Sequence, residues 1–122
     1  MNHTILIVED DQDILFLYSH KLQAKGFHVV TAQNGYDGLE LCRTYSPDLV
    51  LVDLQMPIMD GLSMIKAMRA SEDMAAIPVI ILTNQDKSEA PHELRFLRID
   101  SYIVKAHTTP IQLAEHIART LK

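Results

Sequence analysis

The sequence lacks most of the features that mark secreted, membrane-spanning or nucleic-acid-binding proteins. Cys42 is its only cysteine, so no internal disulfide can form and a reducing compartment is permitted. No apolar run approaches the roughly 18 residues that span a membrane, and no basic leader precedes an apolar stretch at the start. Lysine and arginine form no block, and the formal net charge is -5, which argues against direct binding of DNA or RNA. We therefore expect a cytoplasmic protein that contacts neither membrane nor nucleic acid.

Apolar residues are abundant enough for one core. The chain has 122 residues, of which 48% are hydrophobic, so we expect a single domain over residues 1–122. Short apolar runs alternate with longer stretches of helical periodicity, which is typical of a parallel sheet covered by helices on both faces. The predicted strands are 5–8, 27–31, 49–53, 78–82 and 102–105. The predicted helices are 11–25, one that begins after Asn34, 62–70, 91–97, and a fifth that begins at Thr109 and Pro110 and ends at Lys122.

Acidic residues follow two of the predicted strands. Glu9, Asp10 and Asp11 come directly after the first strand, and Asp53 ends the third. Sites in open parallel sheets form outside the carboxyl ends of the strands, so these carboxylates share one crevice if the two strands are neighbours. Their mutual repulsion is unfavourable unless a cation lies among them, and Mg²⁺ fits best because it uses few carboxylates and leaves positions for phosphate oxygens. The acids after the first strand are explained equally well by a helix N-terminus, a role that suits Asp11.

Two other strand ends carry complementary groups. The fourth strand stops at Thr83, whose hydroxyl can donate to an anion, and the fifth stops at Lys105, whose ammonium suits a phosphate oxygen. Each residue alone is a weak indication. Together with the acids they predict a site that handles phosphate.

Four segments carry a resemblance to a known family. The motifs ILIVEDD, LVLVDLQMPIMDG, VIILTN and DSYIVK occur in this order with fitting gaps. Over essentially its whole length the chain resembles the receiver domain of two-component response regulators. The resemblance implies a doubly wound, flavodoxin-like (βα)5 sandwich whose parallel five-stranded sheet has the order 2-1-3-4-5.

The resemblance also implies the chemistry of the site. Asp53 would be the phosphoacceptor and would take a phosphoryl group from a phosphohistidine of a sensor histidine kinase or phosphotransfer protein. Glu9, Asp10 and Asp53 would hold Mg²⁺ together with the backbone carbonyl of Gln55.

Three further residues have implied roles in binding and switching. Lys105 would pair with a phosphoryl oxygen, Thr83 would bond another, and Tyr102 would carry the change to the surface of the fourth helix, fifth strand and fifth helix. A downstream protein would read that surface. We expect a monomer or a phosphorylation-dependent dimer, and a switch that catalyses its own phosphorylation and slow dephosphorylation without being a turnover enzyme.

The sequence departs from the family pattern at two positions. Ala106 follows Lys105 where the family usually has a proline in a cis peptide, so either the bond is trans or the loop is strained. Arg98 replaces the glycine usually found before the fifth strand, which is costly if that residue remains left-handed. These departures support one alternative, a receiver-like interaction module that works without phosphorylation.

Two other classes fit the sequence less well. A haloacid-dehalogenase-type phosphohydrolase needs a second acid where Gln55 stands, and a flavin carrier needs a glycine-rich or hydroxyl-rich loop after the first strand. Cys42 is expected to pack in the core. For Phe96, both a core position and a partner surface remain open.

Overall fold

Five parallel strands form the centre of the fold, in the order β2-β1-β3-β4-β5. The structure, a computed structural model, describes residues 2–121. The strands are β1 (Thr4–Val8), β2 (His28–Ala32), β3 (Leu49–Val52), β4 (Val79–Thr83) and β5 (Ser101–Val104). The α-helices are α1 (Gln12–Ala24), α2 (Gly35–Tyr45), α3 (Gly61–Ala70) and α4 (Pro110–Thr120). The strand order confirms the predicted doubly wound α/β fold.

Alternation along the strands divides the core into two layers. Ile5 and Ile7 of β1 pack with residues of α1 and α4, whereas Leu6 and Val8 pack with residues of α2 and α3. Strands β3 and β4 are buried along their whole length, because a central parallel strand is covered on both faces. This burial explains the continuous apolar runs in the sequence.

Side-chain caps set the starts of the helices. Asp11 accepts hydrogen bonds from two backbone N–H groups in the first turn of α1, which confirms its predicted role at a helix start. Asn34 caps α2 in the same way, and Thr109 forms a capping box with Gln112 at the start of α4. The predicted end of the last helix at Lys122 lies outside the described residues. Within residues 2–121, none of the helices combines the length and apolar character that crossing a bilayer requires.

The predicted fourth α-helix over residues 91–97 is wrong. The connection between β4 and β5 instead contains two short 3-10 helices, Lys87–Glu89 and His92–Phe96. Leu94 is the one buried residue of the second, so the segment has no apolar stripe to pack on the sheet. Because a short helix gains most of its stability from such packing, the helical spacing of a few apolar residues is not sufficient here. The chain's α4 therefore takes the place of the predicted fifth helix.

Arg98 keeps a left-handed conformation, with φ of 54°. The guanidinium of Arg69 on α3 holds the surrounding backbone in place. It donates to the carbonyl oxygens of Leu97 at 2.7 Å and Arg98 at 3.2 Å, and to those of Ala75 and Ile77 at 3.1 and 2.9 Å. These bonds join α3 to the turn before β4 and the turn before β5, so tertiary contacts offset the cost of a non-glycine residue in this conformation.

Candidate functional site

Three carboxylates meet where β1 and β3 end. The backbone N–H of Asp53 donates to the carbonyl of Val8 at 3.0 Å, which sets the end of β3 beside the end of β1. One carboxylate oxygen each from Glu9, Asp10 and Asp53 lies within 4.8 Å of the other two. Glu9 and Asp53 are buried, with 3% and 7% of their surfaces exposed, whereas Asp10 is exposed. The predicted shared crevice is confirmed for these three acids, whereas the Asp11 side chain caps α1 instead.

The loop after β3 turns back tightly beside Asp53. Gly61 begins α3 against this turn, and a Cβ atom there would lie 2.2 Å from the backbone oxygen of Asp53, so no larger residue fits without a shift. The backbone N–H of Gln55 donates to Asp53 Oδ1 at 3.3 Å. The bond from Gln55 orients the Asp53 carboxylate, and Gly61 packs closely against the backbone of the turn.

Lys105 supplies a cation to the same crevice. Its Nζ lies 2.6 Å from Glu9 Oε1 and 3.1 Å from Asp53 Oδ2. Every described peptide bond is trans, so the reach of Lys105 does not require a cis bond to Ala106. Burial lowers the pKa of the Lys105 ammonium, but its hydrogen bond to Glu9 and the charge of Asp53 outweigh burial and raise the pKa overall.

Thr83 and Tyr102 are joined through the loop that follows β4. The fully buried Thr83 accepts a hydrogen bond at Oγ1 from the backbone N–H of Gln85 at 3.3 Å. The Tyr102 hydroxyl donates to the backbone oxygen of Gln85 at 2.9 Å. Gln85 therefore connects two residues that the sequence analysis assigned to one switch.

Tyr18 of α1 is a neighbour of the site that the sequence analysis missed. It borders the same small cavity as Glu9 and Asp53, and burial raises the pKa of its hydroxyl, against the opposing charge of Lys105. Tyr18 is buried, with 6% of its surface exposed. Only the packing of α1 on the sheet brings it beside the acids.

The family profile described as the response regulator receiver domain matches residues 5–118. The chain belongs to the response regulator receiver family. This receiver is 30% identical to the polar-differentiation response regulator DivK of Brucella ovis over 110 residues, covering 90% of this chain and 89% of DivK.

Solved structures agree with the fold. The chemotaxis response regulator CheY4 of Vibrio cholerae is 28% identical, with a TM-score of 0.89 over 99% of this chain and 100% of CheY4. The receiver domain of the sensor histidine kinase PA1611 from Pseudomonas aeruginosa, solved with a magnesium ion in its active-site cleft, has a TM-score of 0.87 at 22% identity and covers 99% and 98% of the two chains. At that identity the second likeness shows the fold alone.

The side chains present in this receiver suit a hard divalent cation. All three clustered side chains offer carboxylate oxygens, the ligand type that Mg²⁺ prefers, and Asp10 is open to solvent. The clustered residues are the three carboxylates named from the sequence. The fourth predicted ligand, the backbone carbonyl of Gln55, and the identity of the metal stay predictions.

Proposed function

We propose that this receiver is a phosphorylation-activated switch that accepts a phosphoryl group on Asp53 from a sensor histidine kinase or phosphotransfer protein. The observation that carries the proposal is the position of Asp53. Its buried carboxylate lies at the end of β3, 3.1 Å from the Lys105 ammonium and within 4.8 Å of the Glu9 and Asp10 carboxylates. A group aligned in this way can react with little reorganisation.

The reaction would exchange one bond to phosphorus for another. An Asp53 oxygen attacks the phosphorus, the bond from phosphorus to the donor's histidine nitrogen breaks, and that nitrogen keeps the electron pair. Lys105 would move its charge from Asp53 to the transferred oxygens, since an ammonium is a mobile point charge. Glu9 and Asp10, with Asp53 and the Gln55 carbonyl, would hold Mg²⁺, which when bound neutralises charge on the phosphoryl group.

The signal would leave the site through Thr83 and Tyr102. Phosphorylation adds roughly two negative charges at Asp53, and the Thr83 hydroxyl is the neighbouring donor at the end of β4. If Thr83 turns toward the phosphoryl group, it gives up its bond from Gln85, whose carbonyl holds Tyr102. The surface around His92–Phe96, β5 and α4 would then change its populated conformation.

In this proposal the output is binding of a downstream protein, in the cytoplasm, and not turnover of a substrate. The relatives named response regulators support this assignment at the level of the family. The alternative, an interaction module that works without phosphorylation, depends on Ala106 and Arg98. Neither residue favours the alternative. The Lys105 ammonium contacts Asp53 although the peptide bond from Lys105 to Ala106 is trans, and Arg98 keeps the left-handed conformation.

The test is phosphorylation by acetyl phosphate with Mg²⁺, followed by intact mass. We expect one acid-stable, base-labile phosphoryl group that requires Mg²⁺ and is absent from Asp53→Asn. Asp73→Asn, at an exposed aspartate outside the site, is the matched control and should be modified like the wild type. If the folded wild type gains no phosphoryl group and does not bind BeF₃⁻, the interaction module becomes the better assignment.

A further inference from the structure

The loop between β3 and α3, residues 53–60, contains a turn of an unusual kind. The backbone N–H of Met59 donates to the carbonyl oxygen of Pro57 at 2.7 Å, which makes a three-residue γ-turn centred on Ile58, whose φ is 70°. A γ-turn with a positive φ at its centre is rare and strained, and more so for a β-branched residue. The Ile58 side chain is 82% exposed, so its own packing does not hold the turn. Contacts made by the backbone of the loop must therefore hold it.

Helix α2 supplies one such contact. Gly35 is the first residue of α2, and its backbone N–H donates to the carbonyl oxygen of Met59 at 2.8 Å. The first N–H groups of a helix have no partner within the helix. The Asn34 side chain accepts the N–H of Asp37, and the loop accepts the N–H of Gly35. The bond therefore completes the N-terminus of α2 and anchors the γ-turn at the same time.

Position 35 requires glycine for space and not for its backbone conformation. Among the glycines, which all lie in the described part of the chain, only Gly26 has a positive φ. A Cβ atom on Gly35 would lie 2.5 Å from the carbonyl oxygen of Met59 and 3.0 Å from that of Asp60. These are backbone atoms, so they can give way only if the loop moves. Alanine, a better helix former than glycine, therefore suits α2 but displaces the loop.

The other end of the same loop carries the predicted phosphoacceptor. The backbone N–H of Gln55 donates to Asp53 Oδ1 at 3.3 Å, and the carbonyl of Gln55 is the predicted fourth metal ligand. Only residues 56–58 separate Gln55 from Met59, and Pro57 among them has a φ that its ring fixes. A displacement of Met59 is therefore transmitted to Gln55 along a short and stiff segment.

We propose that Gly35 is a positioning residue for the acidic crevice. Its N–H and its lack of a side chain hold residues 53–60 where the Asp53 carboxylate and the Gln55 carbonyl can bind Mg²⁺ together. Mg²⁺ demands near-octahedral ligands at short distances, so a small shift of one ligand lowers the affinity. The inference rests on the proposed function, in which Mg²⁺ binds in this crevice. Because such coupling is reciprocal, the metal should in turn strengthen the bond between Gly35 and Met59.

The test measures the Mg²⁺ affinity of the full chain by isothermal titration calorimetry. Gly35→Ala should weaken Mg²⁺ binding at least about fivefold, the equivalent of one lost hydrogen bond. Gly38→Ala, in the same helix, is the matched control. A Cβ atom on Gly38 would meet side-chain atoms of Val8 at 2.9 Å and Met64 at 3.1 Å, so this variant crowds the core and not the loop. It should keep the wild-type Mg²⁺ affinity even if it loses stability.

Two NMR measurements support the titration. In EDTA, Gly35→Ala should shift the amide resonances of Asp53, Gln55 and Met59, whereas Gly38→Ala should leave those of Gln55 and Met59 in place. In the wild type, where no substitution affects folding, saturating Mg²⁺ should slow hydrogen exchange of the Gly35 amide about fivefold more than that of Gly38. The Gly38 amide bonds within the helix terminus, to the carbonyl oxygen of Asn34 at 2.9 Å, and so does not depend on the loop.

Several results would overturn the positioning role. These are a wild-type Mg²⁺ affinity in Gly35→Ala, equal losses of affinity in the two glycine variants, or equal effects of Mg²⁺ on exchange at Gly35 and Gly38. The proposed function fails separately. If the wild type binds no Mg²⁺ and gains no phosphoryl group, the proposed function fails and the metal part of the inference fails with it, although amide shifts confined to Gly35→Ala would still support the hold of α2 on the loop. If the wild type binds Mg²⁺ and is phosphorylated but Gly35→Ala matches it in affinity and amide shifts, the positioning role alone is refuted.

Discussion

Replacing Lys105 by methionine should destabilise the protein far more than breaking an exposed ion pair. The Lys105 side chain is 9% exposed and its partners Glu9 and Asp53 are 4% and 8% exposed. Removing the ammonium leaves two buried carboxylates without their counter-charge, and breaking a buried pair in this way typically costs about 3 to 5 kcal/mol. With a urea m-value of about 2 kcal/mol/M, the unfolding midpoint should fall by about 2 M.

The matched control is Lys66→Met. Lys66 pairs with Glu93 on the surface, where the side chains are 48% and 56% exposed, and exposed pairs contribute about 0 to 1 kcal/mol. Urea unfolding in EDTA, followed by circular dichroism, measures both variants. If Lys105→Met costs no more than Lys66→Met, Lys105 does not neutralise the buried acids.

Magnesium and a second substitution separate charge from packing. If Glu9 and Asp53 repel each other in Lys105→Met, saturating MgCl₂ should restore more stability to that variant than it adds to the wild type, since a ligand of the folded state stabilises it. For the same reason Asp53→Asn should stabilise the Lys105→Met protein. A double-mutant cycle in EDTA that gives no coupling between these positions would refute the electrostatic explanation.

Three further substitutions test other parts of the fold by urea unfolding. Arg69→Met removes four hydrogen bonds to backbone carbonyls and should lower the free energy of unfolding by about 3 kcal/mol. The control Arg43→Met, in an exposed ion pair, should lower it by at most about 1 kcal/mol. Similar losses in the two variants would contradict the contribution of Arg69 to holding α3 against its neighbouring turns. Ile58 is 82% exposed and has a φ of 70°, a left-handed conformation that is strained for isoleucine but not for glycine. Ile58→Gly should therefore stabilise the protein by about 1 kcal/mol, whereas Ile111→Gly in α4 should destabilise it by about 1 kcal/mol. A loss of stability in both variants would show that Ile58 is not strained. Burial raises the pKa of the Cys42 thiol from 9.0 to about 11. As pH rises from 9 to 11 the thiol therefore ionises first in the unfolded chain, and the free energy of unfolding falls. The fall should be shallower in Cys42→Ala, and equal slopes for the two proteins would argue against the shift.

The strands and the acidic crevice could be predicted because each depends on a short local pattern. Burial on both faces makes a continuous apolar run of Leu49–Val52, and an ionisable residue directly after such a run must lie at the sheet's carboxyl edge. The prediction needed one further assumption, that β1 and β3 are neighbours. The resemblance supplied the strand order, and the structure confirms it.

The features that were wrong or left open depend on contacts distant in sequence. The 3-10 helix His92–Phe96 replaces an α-helix because its buried surface is too small, which spacing alone does not reveal. The conformation of Arg98 depends on the guanidinium of Arg69, and the reach of Lys105 depends on the position of β5 in the sheet. Ile58 carries no mark in the sequence that predicts its positive φ.

One residue, Gln85, connects the end of β4 to Tyr102 of β5. Its backbone N–H contacts Thr83 and its backbone oxygen contacts Tyr102, while its side chain donates to the backbone oxygen of Glu89 at 3.0 Å. The first two contacts use the backbone and survive Gln85→Ala, whereas the third does not. In the proposed switch, a movement of Thr83 would therefore reach Tyr102 through backbone contacts that Gln85→Ala retains, whereas the contact with the first 3-10 helix would be lost.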